Sequence, residues 1–271
     1  GIVLYYRLPE LQKTDEITLE VADAEGKAVR TFSSKAVEGF KPWDGGPEAE
    51  PVLSKSKGLN RFVWNLRYPT IPGVPGVYLE ASFSGHKAVP GKYRFTLKMG
   101  DQVIATDAEI LANPLYPTDA AAYAEYHVVM SSMESELAAM HTLINSLHEK
   151  QTQLEAILAS LPAGDKFAAV KSEGEALVKT LAAWDEEMVQ RKSKAYDDVE
   201  NFPNKFTANY LFLLNQTESD IPRVNQPALD RLEKLRAEWS ALKARADDLV
   251  DRAIPALNGK LWDAGIGAIS K

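Results

Sequence analysis

In the first part of the chain, over residues 2–112, hydrophobic and polar residues alternate with a period of two. Residues 17–21, 61–66 and 93–99 have this alternation most clearly. A period of two is typical of strands that bury one face and leave the other in water. The sequence therefore predicts several short strands before residue 112.

The strands are separated by glycine and proline turns, with no helical period between them. This arrangement predicts an antiparallel β-sandwich of immunoglobulin-like type over residues 1–112. Within it, the turn at residues 23–26 returns the chain into residues 29–32 as a hairpin. Two loops, residues 33–57 and 67–90, are long for such a domain, and long loops carry binding function or contact a neighbouring domain.

After residue 113 the hydrophobic positions recur at alternating spacings of four and three, the heptad pattern of bundled helices. The first run predicts a helix of about 54 Å, at about 1.5 Å per residue. Thr118 is its predicted N-cap, and Pro162 ends it. The run consists of Tyr126, Met130, Met133, Leu137, Met140, Ile144, Leu147, Gln151, Leu154, Leu158 and Leu161.

Two further heptad runs predict partners for this helix. The turn at residues 162–164 is so short that the first two helices must be antiparallel. A shorter helix is predicted over residues 205–217, and Pro255 is predicted to kink or stop the last one. The second run is Phe167, Val170, Gly174, Leu177, Leu181, Trp184 and Met188, and the third is Ala228, Leu232, Leu235, Trp239, Leu242, Ala246, Leu249 and Ala253.

The predicted fold class is therefore α+β with two domains. Residues 1–112 form the immunoglobulin-like β-sandwich. Residues 113–271 form a long antiparallel three-helix bundle, coiled-coil-like, with one additional short helix. Every residue in the heptad stripes is expected to pack in the core, because this spacing is what the buried faces of a bundle require.

The composition of the chain excludes several kinds of binding partner and site. The net charge is −7 and the basic residues are mixed with acidic ones, so we expect no nucleic-acid partner. No run of about 18 apolar residues occurs, so we expect no membrane span. Cysteine is lacking, which excludes disulfides and thiolate metal sites but fits either a periplasmic or a cytosolic location.

Catalytic motifs are missing from the sequence. The four histidines, His86, His127, His141 and His148, lack metal-ligand spacing and are expected to be solvated or at the rim of the helices. Ser84 lies close to His86, yet neighbours in sequence do not make a catalytic triad. The acidic runs fall on helix faces where nothing raises a pKa. We therefore predict no catalytic residue, no metal site and no cofactor.

Aromatic residues in the long loops are the candidate ligand-binding residues. Trp43, Tyr68 and Tyr78 offer the flat apolar faces that stack on sugar rings. Filling a contact between domains is the competing role for Trp43 and Tyr68. Trp64 is expected in the core instead, because it alternates in phase with neighbouring hydrophobic residues.

Several motifs resemble the C-terminal region of bacterial BNR-repeat glycosyl hydrolases and sortilin-like β-propeller proteins. The resemblance covers nearly the whole chain. Its motifs are Val29-Arg30-Thr31-Phe32, Gly58-Leu59-Asn60-Arg61-Phe62-Val63-Trp64-Asn65-Leu66-Arg67 and Val89-Pro90-Gly91-Lys92-Tyr93, followed by Arg191-Lys192-Ser193-Lys194, Asn201-Phe202-Pro203-Asn204-Lys205-Phe206 and Pro255-Ala256-Leu257-Asn258.

In that family, an immunoglobulin-like domain similar to those of flagellar hook-capping proteins precedes a helical tail. The resemblance implies an upstream β-propeller domain in the same polypeptide and export to the periplasm or the cell exterior. The start of the chain, in a β-rich run without a signal peptide, agrees with a fragment of a longer protein. The Asp-box pattern of such propellers does not occur in the chain, so the hydrolase activity does not transfer to these residues.

Three functions follow as hypotheses. The first is a non-catalytic accessory region, in which the sandwich packs on the propeller and the helical bundle contacts a protein partner. The second is a carbohydrate-binding accessory domain that uses the loop aromatics to hold a polysaccharide. The third is a region that completes the propeller active site, with residues 67–90 as a lid.

Overall fold

A computed structural model describes residues 1–162, 164–218 and 223–270. It is a mixed α+β structure with two small antiparallel sheets followed by helices. The predicted α+β class is thus confirmed. The strands are β1 (Ile2–Leu8), β2 (Ile17–Ala22), β3 (Ala28–Ser33), β4 (Gly58–Trp64), β5 (Gly91–Met99) and β6 (Gln102–Ile110).

The first sheet pairs β1 with β4, and the second has the order β3-β2-β5-β6, with every neighbouring pair antiparallel. Their inward side chains belong to one hydrophobic core. Trp64 is fully buried there, as predicted, with its ring edge-on to Tyr93 and Phe95. Phe32 of the second sheet contacts Phe62 of the first at 4.7 Å between ring centroids.

The sequence places Leu66 on the same alternation as Phe62 and Trp64, but β4 ends at Trp64. Leu66 has a φ of 63°, and it is the one residue other than glycine with a positive φ among those described. A left-handed conformation at a leucine is uncommon and turns the chain sharply. The strand therefore stops two residues early, and the chain leaves the sheet into the long loop.

The helices are α1 (Ala120–Ser160), α2 (Asp165–Met188), α3 (Phe206–Thr217), α4 (Gln226–Asp248) and α5 (Ile254–Asp263). A π-helical turn, Leu249–Ala253, joins α4 to α5, so the residues that the structure describes form four separate helices. A 3₁₀ turn, Tyr196–Glu200, precedes α3. The N-cap of α1 is Asp119, whose carboxylate accepts a bond from the Ala122 nitrogen, and not Thr118 as predicted. Within the described residues, none of these helices is both long and apolar enough to cross a bilayer.

Most of the predicted heptad positions lie in one hydrophobic core that includes all five helical segments. Met130, Leu137, Met140 and Ile144 of α1 are completely buried. Helix α4 joins α2 through Trp184, whose Nε1 donates to the Leu242 carbonyl over 2.9 Å.

The same core takes five side chains from the long loop after β4, which lies before the predicted boundary at residue 112. These are Ile71, Val74, Val77, Leu79 and Phe83, all at most 7% exposed. The two predicted units, residues 1–112 and 113–271, are therefore joined by a hydrophobic interface that the loop supplies.

Candidate functional site at the histidine junction

The long loop folds back on itself as a narrow ribbon. The Tyr68 nitrogen donates to the His86 carbonyl over 3.0 Å, and the Ile71 nitrogen donates to the Phe83 carbonyl over 2.8 Å. At Gly85 the two arms are so close that a Cβ atom would lie 2.5 Å from the Pro69 carbonyl oxygen. This ribbon fixes the position of His86 above α1.

His86 is completely buried and is held by a carboxylate of α1. Its ring Nδ1 lies 2.9 and 3.0 Å from the two Glu134 carboxylate oxygens. Its backbone nitrogen donates to the same Glu134 side chain over 2.5 Å. Because the carboxylate only accepts, the ring proton of neutral His86 resides on Nδ1.

The other ring nitrogen of His86 continues the chain of contacts. His86 Nε2 lies 3.0 Å from His127 Nδ1, and the Ser131 hydroxyl lies 3.3 Å from the same His127 nitrogen. Two facing ring nitrogens make a hydrogen bond only when one of them carries a proton and the other a lone pair. The site, called the histidine junction here, is therefore the series Glu134, His86 and His127.

His127 is only partly buried, yet its surroundings disfavour its charged form. Burial, followed by the nearby His86 and Lys27, lowers the pKa of His127 below its usual 6.5, although Glu134 and Asp23 oppose the shift. The imidazole is therefore neutral at pH 7.

Tyr68, one of the three predicted ligand-binding aromatics, lies in this junction. Its ring stacks on His86 with 4.2 Å between centroids and 6° between planes. Burial, with smaller effects of Asp23 and Glu134, raises the pKa of Tyr68 to about 12. One face of the ring is thus covered by protein, in the role of a contact between the sheets and the helices.

Trp43 and Tyr78, the other two predicted aromatics, lie together at a different place. Trp43 donates from Nε1 to the Val77 carbonyl over 2.9 Å, and its indole covers Gly46. The Tyr78 ring packs against Gly45 so closely that a Cβ atom there would lie 2.5 Å from Cδ2. Both side chains remain partly exposed.

The histidines correct one expectation from the sequence. His141 is 1% exposed, and its Nδ1 donates to the Pro72 carbonyl of the ribbon over 2.6 Å. His86 and His141 are therefore buried attachment points, and the prediction that the histidines are solvated or at the rim is wrong for both. The physical reason is that the long loop supplies polar partners that burial of an imidazole requires.

A polar cleft of about 330 Å³ is lined in part by residues of the ribbon. Arg30 and Arg67 both line it, and Arg67 also links it to the junction, since its Nη1 donates to the Gly85 carbonyl over 2.8 Å. The same Nη1 lies 2.8 Å from Glu218 at the end of α3. We call this feature the arginine cleft.

Chemically, the junction can pass a proton between His127 and His86 while Glu134 stabilises the imidazolium. A hydrolase of the triad type would also need a nucleophile in line with the outer nitrogen of the base. Ser131 instead contacts the inner nitrogen of His127, which His86 already occupies. Among the described residues, no group of three or more histidine, aspartate and glutamate side chains is arranged to hold a metal ion.

Sequence reasoning missed Glu134 and Arg67 as site residues. Glu134 is seven residues after His127, so both lie on one stripe of α1 beside the heptad seam. The spacing of His127 and Glu134 is the one signal of the site in the sequence. It does not indicate that His86 packs against this stripe of α1. Compared with known protein families, curated proteins and solved structures, the chain has no significant match.

Proposed function

We propose that this chain is a non-catalytic accessory and interaction region of a larger β-propeller protein. One observation carries the proposal: the polar groups of the long loop are used to attach it to the helices. His86 binds Glu134, His141 binds the Pro72 carbonyl, and Asn145 donates to the Gly73 carbonyl over 3.3 Å. Groups that are consumed by structural bonds support a rigid scaffold.

We also propose a specific fold for each of the two parts of the chain. Two antiparallel sheets with a common core support an immunoglobulin-like β-sandwich. The shared core of α1, α2 and α4, with α3 beside them, supports an antiparallel three-helix bundle with one short helix. In this arrangement the loop acts as a strut between the sandwich and the bundle.

The proposed partner is the upstream propeller domain, and the proposed location is the periplasm or the cell exterior. An apolar face supports a contact of this kind. The first sheet exposes Val3, Tyr5, Leu59 and Val63, and Val3 pairs directly with Val63. Exposed apolar residues on neighbouring strands are typical of surfaces that another domain covers.

An unfolding experiment on residues 1–271 tests the scaffold. We expect one cooperative transition without added ligand, followed by near-ultraviolet circular dichroism, because the loop joins the two hydrophobic cores. A chain that stays unfolded until a propeller domain is added in trans, or two well separated transitions, would overturn the rigid scaffold.

The lid hypothesis requires residues 67–90 to move. A lid must open, but Ile71, Val77 and Phe83 are buried in the helical core. Activity of the complete propeller protein after deletion of residues 1–271 would exclude a role of this region in catalysis. Loss of that activity with correct folding of the propeller would favour the lid over the scaffold.

Carbohydrate binding by loop aromatics is the second candidate. It is favoured by the position of Trp43 and Tyr78, which lie in one contact between two loops with part of each ring exposed. Binding of a polysaccharide on a glycan array that disappears in Trp43→Ala and Tyr78→Ala would support it. Retained binding in both variants would reject this pair as the site.

A further inference from the structure

The first sheet has one side turned to the core and one side turned to solvent. Side chains alternate along β1 and β4, so every second residue of each strand points outward. The outward residues form three cross-strand pairs, which we call the outer face of the first sheet: Val3 with Val63, Tyr5 with Arg61, and Arg7 with Leu59.

Four of the six side chains on the outer face are hydrophobic and open to solvent. Their exposed fractions are 43% for Val3, 64% for Tyr5, 66% for Leu59 and 38% for Val63. The solvent side of an antiparallel sheet ordinarily carries polar side chains. A face on which Val3 and Val63 lie side by side is therefore expected to be covered by another surface.

The two other side chains of the outer face, Arg7 and Arg61, are exposed as well. Within the described residues, neither guanidinium has a hydrogen bond or an ion pair, whereas each arginine of the arginine cleft is paired with a glutamate. The face itself contains no acidic side chain, and Glu10, just beyond the end of β1, pairs with Lys57 at 2.9 Å. The face therefore carries two uncompensated positive charges on a chain whose net charge is −7.

These charges indicate the chemistry of the surface that fits. A protein surface with an apolar centre and flanking carboxylates buries the hydrophobic side chains and also gives each guanidinium a partner. Arginine and tyrosine are enriched in such interfaces, because their apolar parts pack while their polar ends bond.

Other occupants fit the outer face less well. Two arginines do not offset the net charge of −7, so a nucleic acid or an anionic bilayer is repelled by the rest of the chain. A second copy that packs the same face around a two-fold axis would bring four guanidinium groups together without a carboxylate. Charge complementarity therefore favours a different protein surface, and an acidic one.

We propose that the outer face of the first sheet docks on an acidic surface of the upstream propeller domain, whose carboxylates pair with Arg7 and Arg61 around an apolar centre. This inference rests on the proposed function and adds the chemistry of the contact. Interfaces between domains bury roughly 600–1,500 Å², more than six side chains supply, so the face is the centre of a larger contact. The two arginines determine which surface docks, since a surface without matching carboxylates leaves their charges buried and unpaired.

Cysteine labelling of the complete polypeptide tests the proposal, because residues 1–271 contain no cysteine of their own. Tyr5→Cys places a thiol in the central pair of the face, and mass spectrometry of its peptide follows the reaction with a maleimide. We expect labelling at least about tenfold slower in the complete polypeptide than in residues 1–271 alone, because the centre of an interface excludes solvent. Tyr196→Cys, at a tyrosine that is also 64% exposed, is the control and should react equally fast in both.

Charge reversal then tests the carboxylate partners. With Arg7→Glu and Arg61→Glu added to Tyr5→Cys, we expect labelling of the complete polypeptide to become about tenfold faster, because like charges now face each other. Arg7→Lys with Arg61→Lys keeps both charges and should keep most of the protection. Both positions are exposed, so an unchanged melting temperature is expected for residues 1–271 with either pair of substitutions. Protection that survives the double reversal would mean a purely apolar contact and would overturn the assignment.

The remaining outcomes separate this inference from the proposed function. Equal labelling of Tyr5→Cys in both forms, with a folded propeller domain present, would overturn the docking face and leave the scaffold function standing. Protection that disappears on dilution of the complete polypeptide would identify a second copy as the cover and would also overturn the proposal. A longer polypeptide without a propeller domain would contradict the proposed function, and this inference with it.

Discussion

His86 binds Glu134 through both its backbone and its ring, with the backbone nitrogen 2.5 Å and the ring Nδ1 2.9 Å from Oε1. The loop after β4 and helix α1 are thus joined by one carboxylate that accepts two bonds. A carboxylate in this position replaces water for a fully buried imidazole. Stability of the junction should depend on the charge of Glu134 more than on its size.

Glu134→Gln tests that dependence with almost no change of shape. The amide oxygen can still accept both bonds made to Oε1, but the NH₂ group takes the place of Oε2, which lies 3.0 Å from His86 Nδ1, and so sets two N–H donors against a ring N–H. We expect a loss of about 1–3 kcal/mol in the free energy of unfolding, measured in urea. Glu125→Gln, an exposed glutamate on the same helix, is the matched control and should change stability by less than about 0.5 kcal/mol. Equal effects of the two substitutions would contradict the assigned role of Glu134.

Two imidazoles with lowered pKa values, those of His141 and His127, predict that stability depends on pH in a range above the one in which the carboxylates titrate. The pKa of His141 is lowered from 6.5 by burial, despite its bond to the Pro72 carbonyl, and the pKa of His127 is lowered as well. Since these groups take up protons more readily in the unfolded chain, their contribution is complete above pH 6.5 and is lost as the pH falls towards their folded pKa values. The free energy of unfolding should therefore decline below about pH 6.5, by up to about 1.4 kcal/mol per pH unit for each group.

His141→Gln is the test variant for this slope, because glutamine does not titrate. The decline between about pH 7 and 5.5 should become shallower, while the wild-type chain keeps it. Glu50 and Glu136, whose pKa values are lowered from 4.5, act only at more acidic pH. Stability that is flat down to pH 5 in the wild-type chain would contradict the prediction.

A side chain at position 85 is expected to clash with the opposite arm of the ribbon. A Cβ atom in Gly85→Ala would lie 2.5 Å from the Pro69 carbonyl oxygen, which is backbone and cannot move cheaply. We expect the melting temperature to fall and His86 to lose its position, with a cost of about 1–3 kcal/mol. Gly259→Ala, where no atom lies within 4 Å of the new methyl group, should instead stabilise α5 by up to about 1 kcal/mol.

Substitution of Trp184 tests how much the contact between α2 and α4 contributes to stability. Trp184→Phe removes the donor to the Leu242 carbonyl in a site where the tryptophan is 2% exposed. The Leu242 carbonyl keeps its bond within α4, so the loss is that of the second bond and of the packing of the larger ring, and we expect it to cost about 1–3 kcal/mol in the free energy of unfolding, measured in urea. Trp262→Phe, at a side chain that is 75% exposed, is the control and should be nearly neutral. Equal effects of the two substitutions would contradict the role assigned to Trp184.

Much of the fold could be predicted because the spacing of hydrophobic residues that are close in sequence determines which face of each helix or strand is buried. The inward residues of α3 follow the spacing in the sequence, and each of them is at most 8% exposed: Phe206, Tyr210, Leu213 and Leu214. The heptad run of α1 fails at one position, where Lys150 is buried in place of Gln151. Lys150 donates to the Ser270 carbonyl over 3.3 Å, a contact 120 residues away along the chain.

The histidine junction could not be predicted for the same reason that Lys150 could not. His86 lies 41 residues from His127 and 48 from Glu134, so a pattern of near neighbours carries no sign of their meeting. The ribbon that brings them together depends on the positive φ of Leu66 and the close approach at Gly85. Neither feature has a periodic signature.

The π-helical turn, Leu249–Ala253, changes the phase of the last helix. An α-helix rotates by about 100° per residue, and the turn adds one residue to the cycle. Buried positions therefore step by five from Leu249 to Ile254, and Ala253, which the uninterrupted heptad selects, is only partly buried. Pro255 follows at once, so the phase shift sets Leu257 and Leu261 onto the core side of a helix that an unshifted repeat would have turned towards water.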